Sequence, residues 1–275
     1  MSVPKGKFAE IGDGLNMHYH DEGTGAPLVF LHGSGPGASG WSNFRRNFPF
    51  FAERGYRALV PDTLGFGLSS KPDVAYTMDF VTAGLQRFLD STRVDKVALV
   101  GNSHGGAMAI EFARLFPERV TQLILMAPGG LEERETYLKM EGIRAMLRAT
   151  LGTPTAPASL TRDSLRSVLA LQLYDASLLT DEIVEERFEI AVTQPQKVFT
   201  TLSVPQLVPE LGKLRCPVLA LWGVADRFCP VSGAMRIAEG CADARVVVLS
   251  QCGHWVMVER AALFNRMALD FLEGR

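Results

Sequence analysis

The stretch that most constrains this chain is Val97-Ala-Leu-Val-Gly-Asn-Ser103-His-Gly-Gly106. The apolar run Val97 to Val100 predicts a buried strand, and a helical pattern follows from Ala107 to Phe116, stopping before Pro117. Between them Gly101-x-Ser103-x-Gly105 forms a strand–turn–helix that holds one serine in strained backbone and presents its hydroxyl. Strand and helix pass so closely there that a Cβ at 101 or 105 would collide with backbone. A nucleophilic serine needs a base, an acid that orients the base, and donors for the oxyanion. In this arrangement acid and histidine follow the serine in that order.

The chain has 275 residues, room for one large α/β domain with an inserted subdomain. Its 28 basic and 30 acidic residues leave a formal charge of −2, which offers no electrostatic footprint for nucleic acid. The N-terminal residues lack the apolar core of a signal peptide, and no apolar run approaches membrane-spanning length. The expectation is a soluble, cytoplasmic protein that binds neither nucleic acid nor membrane. Cys216, Cys229, Cys241 and Cys252 form no CxxC pair, which predicts reduced and mostly buried thiols.

In chain order, Phe8–Ile11 and Leu15–Tyr19 predict an antiparallel pair. His18 and His20 would share its polar face and, with no third metal ligand, are read as solvated strand histidines. Strands at 27–31, 56–60, 97–100, 121–126, 217–222 and 244–249 alternate with helices at 41–54, 78–89, 107–116 and 261–272. That alternation predicts a mostly parallel sheet flanked by helices. Between 131 and 205 the strand pattern stops, and helices at 134–149, 161–173, 180–193 and 195–202 read as an inserted lid. The expected organisation is a core in two parts, 1–130 and 206–275, with the lid at 131–205.

Gly35, Gly37 and Gly40 formally satisfy G-x-G-x-x-G, but Pro36 removes a donor and no acidic strand end appears about twenty residues on, so a dinucleotide site is rejected. The same loop, from His32, reads instead as an oxyanion loop, with the N–H groups of Ser34 and His104 as donors. Asp226 and His254 each lie just past a predicted strand end, where sites collect in open α/β sheets. Ser103, Asp226, His254 is the required order: His254 takes the serine proton and Asp226 fixes its tautomer.

His32-Gly-Ser-Gly-Pro-Gly-Ala-Ser-Gly-Trp-Ser-Asn43, Gly101-Asn-Ser-His-Gly-Gly106, Leu125-Met-Ala-Pro-Gly-Gly130, Asp226-Arg-Phe and Cys252-Gly-His-Trp255 together resemble the meta-cleavage-product hydrolases, α/β-hydrolases of bacterial aromatic catabolism. The resemblance runs from about residue 15 to the C-terminus. It implies the α/β-hydrolase fold and hydrolysis of a carbon–carbon bond in 2-hydroxy-6-oxohexa-2,4-dienoates, giving 2-hydroxypenta-2,4-dienoate and a carboxylic acid. It implies attack on the C6 carbonyl by Ser103 or by an activated water, after ketonisation of the dienol. It further implies that Arg187, on the lid, holds the dienoate carboxylate, that Gly33, Asn43, Asn102, Cys252 and Trp255 line the pocket, that no metal or organic cofactor is used, and that the chain forms a dimer or larger homo-oligomer. Two positions depart from the family: His104, where Met or Phe is expected, and Gln172, where many members carry an aromatic. An ordinary carboxylesterase or amidase with the same triad, and a ligand receptor that keeps the fold without turnover, are the competing expectations.

Overall fold

The computed structural model describes residues 4–155, 157–158 and 160–275. Eight strands form one sheet: β1 (Lys7–Glu10), β2 (Asn16–Glu22), β3 (Ala26–Leu31), β4 (Tyr56–Pro61), β5 (Val97–Asn102), β6 (Val120–Met126), β7 (Val218–Gly223) and β8 (Ala244–Leu249). Their order is β1-β2-β4-β3-β5-β6-β7-β8; β1 and β2 pair antiparallel, β2 pairs antiparallel with β4, and the remaining pairs are parallel. β5 and β7 are buried along their whole length, which is why they read as continuous apolar runs rather than alternating ones.

Helices cover both faces. Those before the inserted segment are α1 (Gly40–Phe44), α2 (Phe48–Ala52), α3 (Met78–Ser91) and α4 (His104–Leu115). Next come α5 (Arg134–Lys139), α6 (Glu141–Leu151), α7 (Arg162–Ala170), α8 (Asp181–Ala191) and α9 (Gln196–Thr201), all between β6 and β7. α10 (Ser232–Gly240), α11 (Val256–Glu259) and α12 (Ala261–Leu272) complete the chain. One large core lies on the α3–α4 face, with Met17, Leu99, Ile110 and Trp222, and a second on the opposite face, with Phe30, Phe44, Val100 and Phe264. Each such side chain contributes roughly 1.5–3 kcal/mol by leaving water. α4 has ten buried residues, so the helix that follows Ser103 is clamped along most of its surface.

The structure corrects three readings. The expected helix at 41–54 is two short helices. Asn47 breaks it with φ −121° and ψ −57°, Pro49 starts the next helix, and the buried Asn47 amide donates to Met257 O at 3.0 Å and to Asn265 Oδ1 at 2.9 Å. The expected helix at 134–149 breaks at Met140, which is extended at φ −65° and ψ 133°. His18 and His20 are not solvated: they are 2% and 5% exposed. Phe8 packs on the His18 ring, Trp41 and Phe48 pack on the His20 ring, and His18 Nδ1 meets Asp62 Oδ2 at 2.8 Å. The polar-looking face of β2 is therefore an interior face covered by α1 and α2.

Candidate active site

Every chemistry-bearing turn leaves the carboxyl edge of the parallel strands. β3 ends at the 32–40 loop, β5 at Ser103, β7 runs toward Asp226 and β8 toward His254. Ser103 has φ 56° and ψ −117°, a conformation L-residues avoid. It is held there from both sides: its N–H donates to Met126 O at 2.9 Å, and its carbonyl accepts from Ala107 N at 3.0 Å and Gly129 N at 3.1 Å. A Cβ on Gly105 would lie 2.1 Å from Leu31 O, and one on Gly101 2.5 Å from Gly105 O, so both glycines are sterically required. Ser103 is the one residue of the turn from 101 to 106 that keeps partial exposure, and it opens into the site cavity.

His254 is 2% exposed and its Nδ1 faces Asp226 Oδ2 at 2.7 Å. The other carboxylate oxygen, Oδ1, accepts from Phe228 N at 2.7 Å and Cys229 N at 2.9 Å. Those amides fix the orientation of the carboxylate, and its bond to Nδ1 holds the Nδ1–H tautomer, which leaves Nε2 as the proton acceptor. The Phe228 ring stacks on the imidazole at 5.2 Å between centroids and 27°. His254 and Ser103 line the same cavity.

Ser34 and Gly35 line that cavity as well, and the backbone N–H groups of Ser34 and His104 have no acceptor among the described residues. His104 opens α4, where the first N–H groups lack helical partners. Its side chain is turned away: it is 3% exposed, Nε2 has no partner, and burial, with His32 nearby, pulls the ring down to about 4, so it is neutral near pH 7. His32 is also buried and is held below its ordinary value, first by burial; its Nδ1 meets Gly33 O at 2.7 Å and its Nε2 accepts from Thr63 N at 3.0 Å. These bonds fix the start of the loop that carries Ser34.

Arg187, on α8, is 2% exposed and reaches the cavity beside the triad. Nη2 donates to Asn43 Oδ1 at 2.8 Å, the guanidinium lies 4.7 Å from the Trp255 ring centroid, and Nε has no partner. Among the described residues no carboxylate pairs with it; the adjacent Glu186 is taken by Arg45 at 2.7 Å. Burial pulls Arg187 down to about 9, against an upward pull from Glu186. Asn43 Nδ2 donates onward to Asn102 Oδ1 at 3.4 Å, and Asn102 Nδ2 to Met126 O at 3.2 Å and His254 O at 3.4 Å. One polar chain thus ties the buried cation to the backbone of the histidine.

The cavity brings together Ser103, His254, Ser34, Gly33, Asn43, Asn102, Arg187, Trp255 and Gln172. Cys252 is placed elsewhere: it is fully buried in the second core and does not line the cavity. Gln172 is 5% exposed, and neither end of its amide has a partner among the described residues. Sequence reasoning missed Ile143, Met146 and Phe228, which also line the cavity. The i, i+3 spacing of Ile143 and Met146 on an amphipathic helix was a usable signal, and so was the place of Phe228 two residues after Asp226.

A serine on a strained strand–helix turn, a buried His–Asp pair after later strands and two unpaired N–H groups define a serine-hydrolase type of site. The chain belongs to the alpha/beta hydrolase family, which it matches over residues 28–267. It is 36% identical to a 2-hydroxy-6-oxo-6-phenylhexa-2,4-dienoate hydrolase of Comamonas testosteroni, over 98% of this chain and 96% of that one. It is also 36% identical to a 2-hydroxy-6-oxononadienedioate/2-hydroxy-6-oxononatrienedioate hydrolase of the same species, over 97% and 96%. Among solved structures, a meta-cleavage product hydrolase from Pseudomonas fluorescens superposes with a TM-score of 0.85 at 29% identity, covering 98% of both chains.

Proposed function

We propose that this enzyme hydrolyses the C5–C6 bond of 2-hydroxy-6-oxohexa-2,4-dienoates from aromatic ring cleavage, releasing 2-hydroxypenta-2,4-dienoate and a carboxylic acid. The observation that carries the reading is Arg187: a buried cation with no carboxylate partner among the described residues, in the same cavity as Ser103 and His254. A guanidinium is the planar fork suited to a carboxylate, and a dienoate carries its carboxylate several atoms from the scissile carbonyl. A plain carboxylesterase has no use for such a group.

In this reading Arg187 and Asn43 hold the carboxylate, while the N–H groups of Ser34 and His104 receive the C6 oxygen. With the dienoate so anchored, its enol proton moves to C5, giving the ketone. Ser103 Oγ then attacks C6 as His254 takes its proton, and negative charge on the C6 oxygen is met by the two N–H groups. The C5–C6 bond breaks, the leaving carbon becomes a dienolate conjugated with the C2 oxygen, and the proton on His254 passes to it, so that 2-hydroxypenta-2,4-dienoate leaves and His254 is neutral again. His254 then takes a proton from water, whose oxygen attacks the acyl carbon, and returns that proton to Ser103 Oγ as the carboxylic acid leaves. Asp226 stabilises the imidazolium each time it forms. The inserted segment acts as the lid: α6 supplies Ile143 and Met146 to the cavity, the turn after α7 supplies Gln172, and α8 supplies Arg187.

The test follows loss of the visible absorbance of ring-cleavage dienolates on adding purified enzyme, with aryl esters in parallel. Rapid dienolate loss and slow ester hydrolysis are expected. Fast ester hydrolysis with no dienolate turnover would make the protein an esterase.

A further inference from the structure

The loop that carries His254 is bonded to the inserted segment through one side chain, Glu259, which does not itself line the catalytic cavity. We propose that Glu259 is a positioning residue for His254: its carboxylate clamps the peptide before the histidine to the turn after α7, and so fixes the base that serves Ser103. This rests on the Ser103, Asp226, His254 reading above.

α11 is a single turn that starts just past His254, and Glu259 N donates to Trp255 O at 3.0 Å. That turn folds the Glu259 carboxylate back over the start of its own loop. Oε2 accepts from Gly253 N at 2.5 Å, next to the histidine. Oε1 accepts from Tyr174 N at 2.8 Å and Asp175 N at 3.0 Å, in the inserted segment. All three donors are main-chain groups, so the carboxylate holds backbone to backbone.

The same two segments also touch directly. Trp255 N donates to Gln172 O at 3.2 Å, and a Cβ on Gly253 would fall 2.6 Å from Gln172 O and 2.9 Å from Leu173 C. With Asn102 Nδ2 on His254 O at 3.4 Å, the peptides on both sides of the histidine are tied down, while Asp226 holds the ring. Gly253 and Trp255 are buried, so an N–H that loses its acceptor there is left unpaired at a cost. A carboxylate can serve donors on both sides, because both of its oxygens accept; an amide accepts at one end and donates at the other. Gln at 259 would turn its own NH2 toward an N–H, either at Gly253 or at Tyr174 and Asp175. The clamp then opens on one side whichever way the amide lies.

The experiment measures kcat and KM on a ring-cleavage dienoate and on an uncharged aryl ester, for the unmodified enzyme, Glu259→Gln, Glu259→Asp and His254→Ala. Rates of the Glu259 variants are divided by the serine that a fluorophosphonate titrates to completion, so that unfolded protein is not counted. Glu259→Gln should lower kcat about ten- to a hundredfold on both substrates, the scale of a small misplacement of a catalytic group. KM for the dienoate should change less than about threefold, since Arg187 and Asn43 are untouched. Glu259→Asp keeps the charge but draws it back by one methylene, and should lose kcat as well. A role in stability alone would lower Tm and the titratable fraction and leave kcat per serine unchanged; that result overturns the proposal, as does a rise in KM at unchanged kcat. Near-normal turnover by His254→Ala overturns the triad reading instead, a distinct outcome.

Discussion

Replacing Arg187 by Gln separates recognition from chemistry. In the free enzyme this guanidinium has one hydrogen bond, to Asn43 at 2.8 Å, one aromatic face, Trp255, and a bare Nε. Its charge is buried without a counter-ion, and a bound carboxylate supplies one. Two charge-assisted hydrogen bonds at roughly 1.5–3 kcal/mol each, offset by the cost of dehydrating the carboxylate, leave a net contribution of about 1.4–4 kcal/mol. Arg187→Gln should therefore lower kcat/KM for dienoates about ten- to a thousandfold. An uncharged aryl ester, with nothing for Arg187 to hold, should lose less than about threefold. Thermal stability should hold or rise, because an unpaired buried charge is removed. Equal losses on both substrates, or a collapse in Tm, would make Arg187 a structural residue. No loss on either would refute the carboxylate assignment.

Four further outcomes follow from the same geometry. Ser103→Ala should lower dienoate turnover on the order of 10⁴-fold or more; near-normal cleavage in pure protein would end the serine-hydrolase reading. Asp226→Asn should fold normally and cost roughly 10⁴ in kcat by misorienting His254, and an active variant would place the orienting acid elsewhere. His104→Met should keep most activity, since the N–H is unchanged. It should also flatten the acid side of the stability curve: a ring held at about 4 when folded but 6.5 when unfolded destabilises the native state as pH falls through that window, by roughly 3 kcal/mol in all, and a Tm–pH slope unaltered by the substitution would contradict this. Gln172→Leu removes a buried amide without partners and should raise Tm by roughly 1–4 °C; a fall in Tm would mean the amide is satisfied in solution.

The serine turn was legible because its constraints are local: the glycines, the strand before them and the helix after them are adjacent in sequence. The acid and histidine were legible because strand ends punctuate the chain and their order is restricted. The burial of His18 and His20 was not, since alternation on β2 looks the same whether its outer face meets water or, as here, Phe8, Trp41 and Phe48. The break at Asn47 depends on Met257 and Asn265, more than two hundred residues away in sequence. Cys252 failed as a pocket residue for a related reason: proximity to His254 in sequence does not say which way a side chain turns, and this one turns into the core.

The 32–40 loop and α8 also touch at Gly37. A Cβ there would fall 2.0 Å from Arg187 O, and Gly37 N donates to Gln194 Oε1 at 2.7 Å. The segment that presents the Ser34 N–H is thus in backbone contact with the very residue that bears the guanidinium. If Ser34 N–H receives the ketone oxygen and Arg187 the carboxylate, as proposed, this contact sets the distance between the backbone positions that carry the two groups. A dienoate homologated by one carbon between those groups should then be turned over poorly, since main chain pressed against main chain does not yield as a surface loop does.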